Sequence, residues 1–118
     1  MLNFGPNTRI FIGLEPVDMR GSFDALAGHV RRLYADPLDG HLYLFLNRRR
    51  RLLKAIWFDR TGWALYSKRL EKGRFELPAV DDDVGKVAID QAQLAMILEG
   101  IDLRAPRRLR YQHRSRAG

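Results

Sequence analysis

The side chains best suited to chemistry in this sequence are clustered cations. Four consecutive arginines stand between two apolar segments, so they are predicted at the tip of a hairpin. Guanidinium groups on a tight turn repel one another, and a phosphate backbone relieves that repulsion through charge-assisted hydrogen bonds. The pattern favours contact with nucleic-acid phosphates over base-specific readout, the alternative being a soluble turn that is merely basic. The residues concerned are Arg48, Arg49, Arg50, Arg51 and the nearby Lys54.

Positive charge is concentrated in two blocks of the chain. Residues 48–78 carry 10 basic and 3 acidic side chains, and residues 104–118 carry 6 basic and none acidic. Such blocks indicate a polyanionic partner, although a solvated surface with a disordered tail would look the same. The sequence does not tell whether the cations near residue 70 lie beside the arginine hairpin or at the opposite end of the sheet. The further candidate nucleic-acid-binding residues are Lys68, Arg69, Lys72, Arg74, Arg107, Arg108 and Arg110.

Aromatic residues interleave with the middle basic block. Exposed rings could stack on unpaired bases, but these rings fall inside strand patterns, where aromatics usually fill the core. The core interpretation is therefore preferred for Trp57, Phe58, Trp63 and Tyr66.

No set of residues resembles a catalytic or metal centre. The three consecutive carboxylates at 81–83 lack the spaced ligands of a calcium loop, and His29, His41 and His113 are too dispersed for a metal site. There is no nucleophile elbow or glycine-rich phosphate loop. The sequence therefore predicts a protein that is not an enzyme and has no cofactor. A small metal-dependent nuclease is a weaker alternative, and its carboxylates would be Asp18, Asp59, Asp81, Asp82 and Asp83.

The elements that would position these cations follow from periodicity. Apolar residues at helical spacing predict one helix over 23–34, and a second begins after Asp90, with Gln93 completing a capping box and Gly100 ending it. Alternation and turn signals predict strands at 9–13, 41–46, 52–58, 63–69, 74–77 and 86–89. The fold class is therefore α+β, an antiparallel meander of about four to six strands packed against two helices that cover one face of the sheet.

A single domain accounts for the length and composition. The chain has 118 residues, 46% of them hydrophobic and none of them cysteine. We expect a domain at 1–105 and a basic, flexible tail at 106–118. No apolar run approaches the ~20 residues of a membrane span, and no signal sequence stands at the start. The expectation is a cytoplasmic protein without a membrane partner. An exposed edge strand would allow a homo-oligomer.

Five motifs, in order and with agreeing spacing, resemble those of the TnpB accessory proteins of the Insertion Sequence 66 family, products of its second open reading frame. They are Val17 to Ala27, Gly40 to Phe45, Ile56 to Asp59, Lys68 to Phe75 and Gln93 to Asp102. The resemblance extends from about Arg9 to Pro106. Its motif positions include Asp18, Met19, Arg20, Trp57, Lys68, Arg69, Leu70 and Gly73.

The resemblance implies a small, non-catalytic protein encoded beside a DDE-type transposase and needed for efficient transposition. One departure concerns the hairpin, where relatives commonly place a Gly-Asp or similar pair and this chain has Arg50, Arg51 and Leu52. The residues and the resemblance together predict an accessory protein that binds DNA weakly through the basic hairpin and tail and assists the transposase. The alternative is an adaptor that contacts the transposase without binding DNA itself.

Overall fold

The computed structural model describes residues 5–78 and 85–101 of the chain. Within them the polypeptide forms five strands and two helices. In chain order they are β1 (Ile10–Gly13), α1 (Phe23–Arg32), β2 (Leu42–Leu46), β3 (Leu52–Asp59), β4 (Gly62–Arg69), β5 (Lys86–Ile89) and α2 (Gln91–Leu98). The predicted α+β class is confirmed.

The strands form one open sheet in the order β4-β3-β2-β1-β5. The predicted meander holds for β2, β3 and β4, which pair antiparallel through short turns. The wholly antiparallel prediction was wrong for β1, which pairs parallel with β2 in the register Ile10 to Leu42. The reason is that α1 lies between these strands in the chain, and such a crossover returns the chain in the same direction.

The two helices cover opposite faces of this sheet, so the prediction that they share one face was wrong. Leu94, Ile97 and Leu98 of α2 pack on one face, which we call the α2-side core. Leu26 and Val30 of α1 pack on the other face, the α1-side core. All five residues of β2 are consequently buried. The physical cause is that β2 is apolar on both sides, which requires cover on both faces.

The residues that begin and end the two helices are mostly those predicted. The Asp90 side chain accepts from the Gln93 N–H at 2.7 Å, and the Gln93 amide oxygen accepts from the Asp90 N–H at 2.9 Å. Gly100 follows α2 with a φ of +78°, the left-handed conformation typical of a residue just past a helix end. Helix α1 ends at Arg32, two residues earlier than predicted, and Ser22 occupies its N-cap without a side-chain hydrogen bond.

The predicted strand at 74–77 was wrong. Phe75 is completely buried in the α2-side core, and Leu77 packs against that core. The segment therefore lies against the α2-side face of the sheet without pairing as a strand, and its apolar side chains contribute to that core.

Neither helix in the described ranges is long and apolar enough to cross a membrane. The acidic residues 81–83, the predicted boundary at 105 and the tail arginines Arg107, Arg108 and Arg110 lie outside the described residues.

Candidate nucleic-acid interface

The loop between β2 and β3 carries the four arginines and is organised by Asn47. The Arg50 N–H donates to the Asn47 carbonyl at 2.9 Å. The Asn47 side-chain oxygen accepts from the Arg51 N–H at 2.9 Å and the Leu52 N–H at 3.1 Å. Arg50 has a φ of +57°, so the loop is a turn followed by a left-handed residue, a common hairpin connection. Arg48 and Arg49 are exposed at its tip.

The second basic segment lies beside this loop. Arg69, the last residue of β4, pairs with Leu52, the first of β3. The Leu70 N–H donates to the Arg51 carbonyl at 2.9 Å, and the Phe75 N–H donates to the Arg50 carbonyl at 2.6 Å. The question left open by the sequence is therefore answered, because the cations on both sides of residue 70 gather at the arginine hairpin. We call this region the basic end: Arg48, Arg49, Arg50, Arg51, Arg69, Lys72 and Arg74.

The C-terminal end of α2 reaches the same place. A Cβ atom built on Gly100 would lie 3.4 Å from the Leu70 Cδ1 and 3.9 Å from the Arg74 carbonyl oxygen. The Ile101 N–H donates to the Met96 carbonyl at 3.0 Å. The basic sequence that starts at Arg104 is three residues farther along the chain and lies outside the described residues.

Two predicted contact residues instead point into the protein. The Lys54 ammonium donates to the carbonyls of Met19 at 2.9 Å and Gly21 at 3.3 Å, and so holds the segment that leads into α1. The Lys68 ammonium donates to the Leu98 carbonyl at 2.7 Å, at the C-terminus of α2, where a cation is electrostatically favoured. Arg51 combines the two behaviours. Its side chain is exposed, but its guanidinium also donates to a backbone carbonyl of the protein, that of Glu71, at 2.9 Å.

The motif around Asp18 forms a local ion pair. The Arg20 guanidinium donates to Asp18 through Nε at 2.9 Å and Nη2 at 2.5 Å. The Arg20 side chain is nevertheless 91% exposed. Between them Met19 packs against the α1-side core. The motif therefore anchors the entry to α1 through Met19 and its carbonyl, and presents a charged pair to solvent.

The Asp18 pair leads to a titration that can be measured. Hydrogen bonds from the Arg20 side chain, then from its N–H, lower the pKa of Asp18 from 3.8 to about 2. Because the folded-state pKa is depressed, the stabilising effect of the pair is present above pH 3.8 and is lost as pH falls toward 2. We expect the Asp18 carboxyl carbon to titrate near 2 by NMR and to return toward 3.8 in Arg20→Gln. An unchanged Asp18 pKa in that variant would contradict the pairing.

Three of the four interleaved aromatics pack against the core, in agreement with the preferred interpretation. Trp57 and Tyr66 pack on the α2-side core, and Trp63 packs on the α1-side core. Phe58 meets Trp63 edge to face, with 5.3 Å between the ring centroids.

Two surface hollows flank the loop that follows β1, and sequence reasoning missed both. One, of about 130 Å³, is lined by Arg48, Arg50, Asn47 and Glu15 among others. The other, of about 340 Å³, is lined by His29, Arg32 and again Glu15. Burial, followed by the nearby Arg32 charge, lowers the pKa of His29. Only the fold reveals these sites, because their residues are far apart in the chain.

The carboxylates of the alternative nuclease hypothesis are not gathered in the described ranges. Asp18 is tied to Arg20, and Asp59 pairs with Gly62 at the β3–β4 turn, at the other end of the sheet from Arg69. No group of three or more histidines, aspartates or glutamates within residues 5–78 and 85–101 could hold a metal ion.

Comparison with known proteins places this arrangement in a family. The family model described as "IS66 Orf2 like protein" matches residues 8–108. "Uncharacterized protein y4hO" of Sinorhizobium fredii (strain NBRC 101917 / NGR234) is 45% identical over 107 residues, which cover 90% of this chain and 91% of the relative. "Uncharacterized protein y4jC" of the same strain is 33% identical over 95 residues, 80% of each chain. No solved structure matches the chain.

The resemblance seen in the sequence motifs is thereby confirmed over almost the whole described fold. The chain belongs to the IS66 Orf2-like family of accessory proteins associated with insertion sequences.

Proposed function

We propose that this protein assists transposition by binding the phosphate backbone of DNA at its basic end, alongside the transposase of the same element. The observation that supports the proposal is the convergence of two basic segments at the end of the sheet where α2 also ends. The hairpin arginines and the basic residues on either side of Leu70 are separated in the chain and meet at one end of the sheet. The C-terminal end of α2, at Gly100, lies beside them. Charge concentrated in this way attracts a polyanion.

Fewer cations are available to contact DNA than the basic residues of the sequence would suggest. Lys54 and Lys68 donate to backbone carbonyls, whereas Arg48, Arg49 and Lys72 are exposed. Arg74 is also exposed, but its guanidinium pairs with the Glu76 carboxylate at 3.4 Å. We expect the exposed cations and the C-terminal basic sequence together to make about six phosphate contacts. The logarithm of the binding affinity then falls with the logarithm of the salt concentration with a slope of about −5. Base readout is not needed, since backbone contacts alone give weak binding of low sequence preference.

The test is fluorescence anisotropy of a labelled duplex at several salt concentrations. We expect Arg48→Ser/Arg49→Ser to weaken binding by about tenfold and to make the slope about 2 units shallower. The matched control is Arg31→Ser/Arg60→Ser, which removes the same charge from exposed positions outside the basic end. If both variants lose affinity equally, the interface is only diffuse charge. Absence of binding by the folded wild type would favour the adaptor that contacts the transposase alone.

Glu15 provides a test in the opposite direction. Glu15 lines the same hollow as Arg48 and Arg50, so its negative charge near these arginines opposes an incoming phosphate. We expect Glu15→Gln to strengthen DNA binding by roughly two- to fivefold at low salt, with less effect at high salt because of screening. The same titration of Glu71→Gln shows whether every acid near the cations acts alike. Weaker binding by Glu15→Gln would mean that Glu15 positions the arginines instead of repelling the ligand.

A further inference from the structure

The outer edge of β4 is the long unpaired edge of the sheet within the described residues. It spans eight residues, whereas β5, at the other edge, spans four. A strand edge presents a row of N–H and C=O groups that can pair with another strand. We infer that two copies of this chain associate by antiparallel pairing of their β4 strands about a two-fold axis.

Charge determines the direction of such pairing. The cations of the basic end stand at one end of β4, at Arg69, and the β3–β4 turn stands at the other. Parallel pairing would bring the two basic ends together and would be repulsive. Antiparallel pairing separates them to opposite extremities of the dimer, and it is also the arrangement that a closed two-fold interface requires.

The side chains of β4 complement one another when Tyr66 lies on the axis. Tyr66 then faces its own copy on the α2 side, and the small Ala64 leaves room for Lys68 of the second copy. On the α1 side, where Trp63 already packs, Trp63 faces Arg69. Aromatic pairs and cation–aromatic pairs of this kind stabilise neighbouring strands.

The absence of native cysteine makes the interface directly testable. Single-cysteine variants are made at Leu65, Tyr66 and Ser67, with Ala88→Cys on the β5 edge as the control, and each is oxidised at equal concentration. We expect Tyr66→Cys to form a disulfide dimer fastest, because directly opposed strand residues lie within disulfide reach. We also expect a mixture of Leu65→Cys and Ser67→Cys chains to cross-link to each other more than to themselves. Ser67 is exposed, so its variant has little effect on folding.

Sedimentation of the unmodified chain provides the independent measurement. We expect its mass to rise with concentration toward twice the monomer's 13.7 kDa. Fastest cross-linking at another β4 position would overturn the Tyr66 register. A monomeric mass at every concentration, with cross-linking on β4 no faster than at Ala88, would overturn the dimer and leave the edge to a strand of another protein. DNA binding plays no part in either readout, so the proposed function is tested separately.

Discussion

Phe75→Ala is expected to lower the free energy of unfolding by about 3–5 kcal/mol, the usual range for removing a buried aromatic ring from a core. The ring is fully buried in the α2-side core, among side chains of the sheet and of α2. The same residue donates its N–H to the Arg50 carbonyl at 2.6 Å. It therefore fastens the segment after β4 both to the core and to the arginine loop.

Urea denaturation followed by tryptophan fluorescence measures this effect. Leu38→Ala is the control, because Leu38 is 55% exposed and its loss is expected to change stability by less than about 0.5 kcal/mol. A loss below about 1 kcal/mol for Phe75→Ala would contradict the packing, because it would mean that the cavity collapses without consequence.

Lys54→Ala is the second large effect, expected at about 2–4 kcal/mol of lost stability. The Lys54 ammonium donates to the carbonyls of Met19 and Gly21, and hydrogen bonds from a charged group contribute about 1.5–3 kcal/mol each. Removing it leaves two carbonyls without their donor and frees the segment that leads into α1. Arg49→Ala, an equal loss of charge at the exposed hairpin tip, is expected to change stability by less than about 0.5 kcal/mol.

Chemical denaturation and DNA titration together separate the two roles. After correction for the folded fraction, the DNA affinity of Lys54→Ala should stay within about threefold of wild type. The reason is that the Lys54 ammonium is not expected to contact phosphate, so the substitution removes no phosphate contact. Equal stability of the Lys54 and Arg49 variants would contradict the internal role of Lys54. A loss of affinity larger in Lys54→Ala than in Arg49→Ala would return Lys54 to the interface.

Most helices and strands of this fold could be predicted from the sequence, because their signals are local. The capping box of Asp90 and Gln93 and the hairpin turn after Asp59 are both present in the structure. The partner of each strand is not a local property, and so the parallel pairing of β1 with β2 was missed. The uninterrupted apolar run of β2 did contain a signal for cover on both faces.

The sequence predicted which basic residues cluster at the candidate site, but not which way each side chain points. The sequence shows where cations are, and the arginines at the hairpin tip are exposed as expected. It does not show which amines find a carbonyl, and Lys54 and Lys68 turn inward because helix and loop carbonyls lie within reach of their flexible side chains. Glu15 was missed because its loop meets the arginine hairpin only in three dimensions.

The connectivity of the sheet also bears on how the chain folds. The hairpins of β2, β3 and β4 join residues that are close in sequence, whereas β1 pairs with β5 across most of the chain, Ile10 against Ile89. Loop-closure entropy makes local pairings form early and distant ones late. The arginine turn and the segment packed beside it belong to the early unit. Local unfolding at the β1–β5 edge would then leave the basic end folded.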